Sequence, residues 1–258
     1  MTWTHLISAA LLMLFGVAPV ALGAEASYHH VHLNVPNPQE AARWYIRHIG
    51  CEVRSDRNDA CQFGTMYLAF RAAPPKAGSD GSALNHIGFS FSDLTAKMKQ
   101  FEAAGVKIVT PMRDAPGLFK LAFIEDPWGT RIEVVEDPES LGFHHIHLWS
   151  TNPDAALKWY QTILGGQIAK LKGRLDGVLY GKAWLLATRQ TEGQVAPTEG
   201  RSIDHLAFAV SDLEEAAGEI RRKGVQFSRD PWVLKDGPFA KASTVMSPDG
   251  VRVEIVQP

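Results

Sequence analysis

Cysteine is nearly absent: Cys51 and Cys61 are the only two in 258 residues. No Cys-x-x-Cys pair exists, which excludes zinc-ribbon and thioredoxin-type chemistry. Charge of one sign is lacking too. A formal net charge of −2 offers no basic field for nucleic acid or an anionic membrane, so neither is an expected partner. Disorder is not expected either, since 45% of the residues are apolar. That is enough for real cores in one large domain or two of ordinary size.

The longest uncharged apolar stretch is N-terminal. Leu6 to Ala24 carries no charged side chain, and the chain turns polar at Glu25. Small residues at Ala21, Gly23, Ala24 and Ala26 offer cleavage sites, so residues 1–24 are expected to be a signal peptide. No Lys or Arg precedes the run, which leaves an uncleaved anchor as the competing reading. Gly16 and Pro19 count against a stable spanning helix. The expected location is periplasmic or secreted, with no membrane partner once the signal is removed. In an oxidising compartment Cys51 and Cys61 could form a disulfide worth roughly 2–3 kcal/mol. Two unpaired small core residues are the equal alternative.

What is present is a repeat. HHVHLNVPNPQEAARWYIRHIG (29–50) matches HHIHLWSTNPDAALKWYQTILG (144–165), and NHIGFSFSDL (85–94) matches DHLAFAVSDL (204–213). DPWGTRIEVVE (126–136) matches SPDGVRVEIVQ (247–257), and residues 136–142 read as a linker. Each copy holds a fainter inner repeat of a strand, an amphipathic helix and three short strands. Asn37-Pro38 and Asp93 are the helix-start signals of the first copy. The chain is therefore expected to be α+β, with four βαβββ modules.

Strand phase carries the functional expectation, because successive side chains alternate between faces. His30, His32 and Asn34 share one face, while Val31, Leu33 and Val35 share the other. His86 and Glu133 fall on the polar faces of their strands, as do His145, His147, His205 and Glu254. His29 and His144 are expected to point away as packing or surface residues. Arg131 and Arg252 share the ligand faces, where anion binding and simple ion pairing are equal readings. Two imidazoles and a carboxylate are a donor set that holds a divalent ion and leaves positions open. Core packing gives no reason for a buried glutamate there. The expected triads are His30, His86 and Glu133 in the first copy, and His145, His205 and Glu254 in the second. The Gly117-Leu118-Phe119-Lys120 and Gly237-Pro238-Phe239 segments precede the seventh strand of each copy; they are read as rims of the cup mouth or as ordinary turns.

These residues resemble the vicinal oxygen chelate superfamily of glyoxalases, bleomycin-resistance proteins and extradiol dioxygenases. The resemblance rests on His30-Val31-His32-Leu33, Trp44-Tyr45, Asn85-His86-Ile87-Gly88-Phe89, Asp126-Pro127-Trp128-Gly129 through Glu133, and their second-copy counterparts. It covers essentially everything after residue 27. It implies two tandem half-barrel domains, 28–136 and 143–257, each around a divalent metal (Zn, Ni, Mn or Fe) on the triads just named. It also implies a small-molecule substrate chelated through vicinal oxygens, in a monomer or homodimer.

Glyoxalase I typically adds a fourth ligand, a Glu on the last strand of the first module. Met66 to Phe70 and Ala183 to Ala187 hold no carboxylate. A surrogate base is then needed, and His32 and His147 are the candidates. The extradiol signature also fails, because its Tyr positions hold Phe123 and Thr244. The resemblance implies an enzyme of lyase or isomerase type. An Fe(II)-dependent extradiol-type dioxygenase and a non-catalytic binding module are the alternatives.

Overall fold

The computed structural model describes residues 26–54, 56–191, 195–235 and 239–258. The signal-peptide expectation, like Gly237 and Pro238 of the second rim segment, lies outside these residues. Four βαβββ modules follow one another. The first comprises β1 (Ser27–Val35), α1 (Pro38–His48), β2 (Glu52–Val53), β3 (Ala60–Phe63) and β4 (Met66–Ala72). The second is β5 (Leu84–Ser90), α2 (Leu94–Ala103), β6 (Lys107–Asp114), β7 (Lys120–Glu125) and β8 (Arg131–Val135). The third is β9 (Gly142–Ser150), α3 (Pro153–Leu164), β10 (Gln167–Leu171), β11 (Leu175–Tyr180) and β12 (Ala183–Arg189). The fourth is β13 (Ile203–Ala209), α4 (Leu213–Arg222), β14 (Phe227–Val233), β15 (Lys241–Met246) and β16 (Arg252–Gln257).

Each helix begins where the sequence supplies an acceptor for its unpaired first-turn N–H groups. The side chains of Asn37, Asp93, Asn152 and Asp212 accept from the helix that each precedes. Such caps contribute about 1 kcal/mol apiece. Pro38 and Pro153 occupy the first turn, where a missing N–H costs nothing. The buried tyrosines Tyr45 and Tyr160 anchor α1 and α3 on the apolar strand faces. Tyr45 Oη donates to Asp126 Oδ2 at 2.7 Å, tying the first module's helix to the turn before β8. Cys51 and Cys61 are joined in a disulfide, with Cα atoms 5.7 Å apart.

The sheets correct one expectation. Each eight-stranded sheet takes one module from each sequence copy. One runs β14-β15-β16-β13-β1-β4-β3-β2, combining the fourth and first modules. The other runs β10-β11-β12-β9-β5-β8-β7-β6, combining the third and second. Segments 28–136 and 143–257 are thus units of sequence repetition, and neither closes a sheet alone. The physical reason lies in the central seams. β1 pairs antiparallel with β13, and β5 with β9, so every module finds its edge partner in the other copy. The sheets share one core. Tyr28 of β1 packs on Phe143 of β9, Tyr180 of β11 and Phe208 of β13 at centroid distances of 6.5, 5.1 and 4.7 Å.

Candidate metal centres

Exchange of modules regroups the triads. His30 and His86 lie in different sheets, as do His145 and His205, so neither within-copy triad forms. The six expected residues instead converge as two crossed sets. His86 and Glu133 meet His145, with His147 beside them; His30 meets His205 and Glu254, with His32 beside them.

The first set is a buried cup: His86, Glu133, His145 and His147 are all shielded from solvent, and one donor atom from each lies within 4.8 Å of the others. Glu133 Oε2 is 3.1 Å from His86 Nε2 and 2.9 Å from His145 Nε2. The second set is looser. Glu254 Oε2 is 3.5 Å from His30 Nε2 and 3.7 Å from His205 Nε2, and His32 Nδ1 is 3.0 Å from His205 Nε2. It opens into a cavity of about 330 Å³, walled by Tyr67, Trp232, Phe239 and the arginines Arg57, Arg71, Arg229 and Arg252. Phe239 thus places the end of the second rim segment at the mouth. Phe119, its counterpart, meets the edge of His144 at 5.5 Å.

A set of residues that simple alternation assigns elsewhere orients the ligands. Register slips in both central seams, at His29 and Asp204 in one and at Asn85 and His144 in the other. A bulge puts two consecutive side chains on nearly the same side of a strand. Each slipped residue therefore reaches the Nδ1 of the histidine that follows it. Asn85 Oδ1 lies 2.9 Å from His86 Nδ1, Asp204 Oδ1 2.6 Å from His205 Nδ1, and His144 Nδ1 2.8 Å from His145 Nδ1. His29 Nδ1 lies 2.9 Å from His30 Nδ1. This overturns the expectation for His29 and His144, which do not simply point away. The signal was present in the sequence: each ligand histidine follows His, Asn, His or Asp, all able to hydrogen-bond.

These partners decide which nitrogen faces the cup, an assignment that follows from the hydrogen-bond network. Asn85 Nδ2 donates to Asp80 Oδ1, so its carbonyl faces His86 and accepts from Nδ1–H. A neutral His86 then presents only a lone pair at Nε2. Lys172 Nζ pairs with Asp137, and Asp137 Oδ2 is 3.3 Å from His144 Nε2. His144 therefore accepts from His145 Nδ1–H, again leaving Nε2 bare. Among the described residues, His145 Nε2 has no aligned hydrogen-bond partner despite its closeness to Glu133, and both ring nitrogens of buried His147 are without partners.

The electrostatics agree. Burial, then neighbouring histidines, hold His147 and His30 well below the usual imidazole range; burial, then His205, does the same for His32. Burial also lowers His86 against the pull of Glu133. Burial pushes Glu133 upward, and its pKa falls well below the usual carboxylate range only while His145 and His86 turn donors toward it. Neutral imidazoles turning lone pairs onto a buried carboxylate repel it unless a cation lies between. The residues of the buried cup fit a divalent ion. His205 differs: burial lowers its pKa, but Asp204 and Glu254 together raise it above the ordinary value.

Arg131 and Arg252 are ion-paired, to Asp80 at 2.9 Å and Asp204 at 3.3 Å. Arg252 also borders the cavity.

The family model described as Glyoxalase/Bleomycin resistance protein/Dioxygenase superfamily matches residues 27–134 and again 142–255. The chain belongs to this superfamily. A probable chloroplastic lactoylglutathione lyase of Arabidopsis thaliana is 25% identical over 183 residues, 66% of this chain and 51% of that protein. The chain thus matches about half the length of that relative. A lactoylglutathione lyase of Neisseria meningitidis is 28% identical over 123 residues, 44% of this chain and 88% of the relative. In fold, glyoxalase I from Zea mays superposes with a TM-score of 0.70 at 16% identity, covering 90% of this chain and 92% of the other. A putative dioxygenase from Bacillus subtilis gives 0.66 at 16%, covering 91% and 86%.

Proposed function

We propose that this chain is an exported, metal-dependent enzyme of the glyoxalase type, a lyase or isomerase acting on a small anionic substrate with vicinal oxygens. The observation that carries the reading is the open cup, in which two imidazoles and a carboxylate converge at the foot of an arginine-walled cavity. His30, His205 and Glu254 would hold a divalent ion, which supplies Lewis acidity to adjacent substrate oxygens. Two imidazoles and a carboxylate admit Zn, Ni, Mn or Fe.

The chain's own residues supply the rest. His32 lies on the cavity wall with its pKa held low, so it is a neutral base at pH 7, placed to take a proton from a carbon beside the chelated oxygens. His147, the matching candidate, lies in the buried cup, away from this cavity. Arg229 stacks on Trp232 at 3.6 Å and Arg57 is braced by Asp59, giving a rigid cationic wall for a carboxylate or phosphate group. Tyr67 and Phe239 lie parallel to the His30 ring and limit its motion. Both cups are complete within one chain, so a monomer suffices. Export is supported by the Cys51–Cys61 disulfide and the uncharged stretch from Leu6 to Ala24.

The test is turnover of a panel of small α-hydroxy-carbonyl compounds, with and without thiol and including lactoylglutathione, by protein loaded with each metal. Metal-dependent conversion that His205→Ala abolishes is expected. Oxygen consumption with iron would establish the dioxygenase reading instead, and tight binding without conversion would establish a binding module.

A further inference from the structure

The two cups are not equivalent: the buried one gathers four protein donors, all shielded from solvent. We infer that His86, Glu133, His145 and His147 form a closed structural metal centre with four protein ligands. In that centre a metal ion clamps the first half of the chain to the second. The inference assumes, with the proposed function, that these cups take metal, and it adds a separate role for this one.

Three observations carry it. First, all four side chains are buried and offer mutually adjacent donor atoms, whereas in the open cup His32, which groups with His30 and His205, is only half-buried. Second, His147 has two buried ring nitrogens without a partner among the described residues, and buried polar atoms are left so only at a cost that a ligand removes. Third, its neighbour on β12 is Leu186, while His32 sits beside Ala69 on β4. Leucine fills the space that alanine leaves open, so the buried cup is packed where the other has room for substrate. Zinc sites closed by four protein donors are structural, and catalytic zinc sites keep a position free. Here the donors come from β5 and β8 of one copy and β9 of the other. Metal affinity is thereby converted into stability across the β5–β9 seam.

The experiment uses the full chain with His205→Ala, which leaves only the buried cup, and with His86→Ala, which leaves only the open one. The first is expected to bind one equivalent of Zn(II) and to gain on the order of 10 °C in Tm at about a thousand times its Kd. Loaded with Mn(II), it should leave the relaxation of bulk water protons nearly unchanged, while the open-cup protein accelerates it. Adding His147→Leu to the first variant should weaken Zn(II) binding by more than about a hundredfold, beyond the loss of a merely orienting partner. His147→Gln repeats that test with a polar side chain of similar length, should the leucine variant fold poorly. Unchanged affinity in both His147 variants, or strong water relaxation from the buried cup, overturns the inference. So does metal in the open-cup protein alone, which leaves the proposed function standing; metal in neither overturns both.

Discussion

Gly88 offers a sharp test of the buried cup. It sits on β5 opposite His145, and the imidazole lies directly over its Cα hydrogens. A Cβ built at this position would fall 2.0 Å from His145 Cε1, 2.2 Å from Nδ1 and 2.5 Å from Nε2. Non-bonded atoms settle at about 3.5–4.0 Å, so Gly88→Ala must push the ring back by more than about 1 Å. A metal–imidazole bond is only about 2.0–2.1 Å long, and a retreat of that size removes His145 from any shared coordination sphere. The module paired with the other cup already carries a methyl here, because Ala207 faces His30, whose ring lies parallel to Tyr67 at 5.1 Å. Gly88→Ala is therefore expected to drop bound zinc from two equivalents to one. Overpacking should cost about 1–3 kcal/mol in stability, while Ala207→Gly keeps both ions. Elemental analysis after dialysis against buffered zinc, with circular dichroism to verify the fold, measures this. Two equivalents retained at wild-type affinity in Gly88→Ala would refute the placement of His145 as a ligand.

Two further outcomes follow from the same geometry. Removing the partner of a ligand's distal nitrogen typically weakens metal binding about 10–100-fold. Asp204→Ala should then weaken only the ion held with Glu254, and Asn85→Ala only the ion held with Glu133, as competition titrations of each variant would measure; the reverse assignment would contradict the crossed pairing of modules. Asp126 provides a pH test remote from both cups. Burial raises its pKa to about 6 against the hydrogen bonds from Thr130, Tyr45 and Trp128. The folded chain therefore holds a proton that the unfolded chain releases near pH 4, and stability falls as pH rises through the interval from about 4 to 6, by about 3 kcal/mol from this group. Asp126→Asn cannot titrate. Denaturation midpoints should show the variant gaining about that much relative to the parent between pH 4 and pH 7, and a pH-independent difference would show Asp126 to be ionised throughout.

Sequence alone determined a great deal here, because the determinants are local. Alternation placed His30, His86, His145, His205, Glu133 and Glu254 on polar strand faces, and Asn37-Pro38 and Asp93 announced helix starts at the residues where the chain begins to coil. The repeat revealed four modules by simple self-similarity. Which module pairs with which was not legible: the repeat makes modules of either copy chemically equivalent partners, and only the β1–β13 and β5–β9 seams select between them. That choice regrouped every ligand set. The bulges at His29, Asn85, His144 and Asp204 were hidden for a related reason, since register depends on the opposing strand and not on the residue itself. The inequality of the two cups arises the same way. His32 and His147 look identical along the chain, and become different because one lies beside Ala69 and the other beside Leu186.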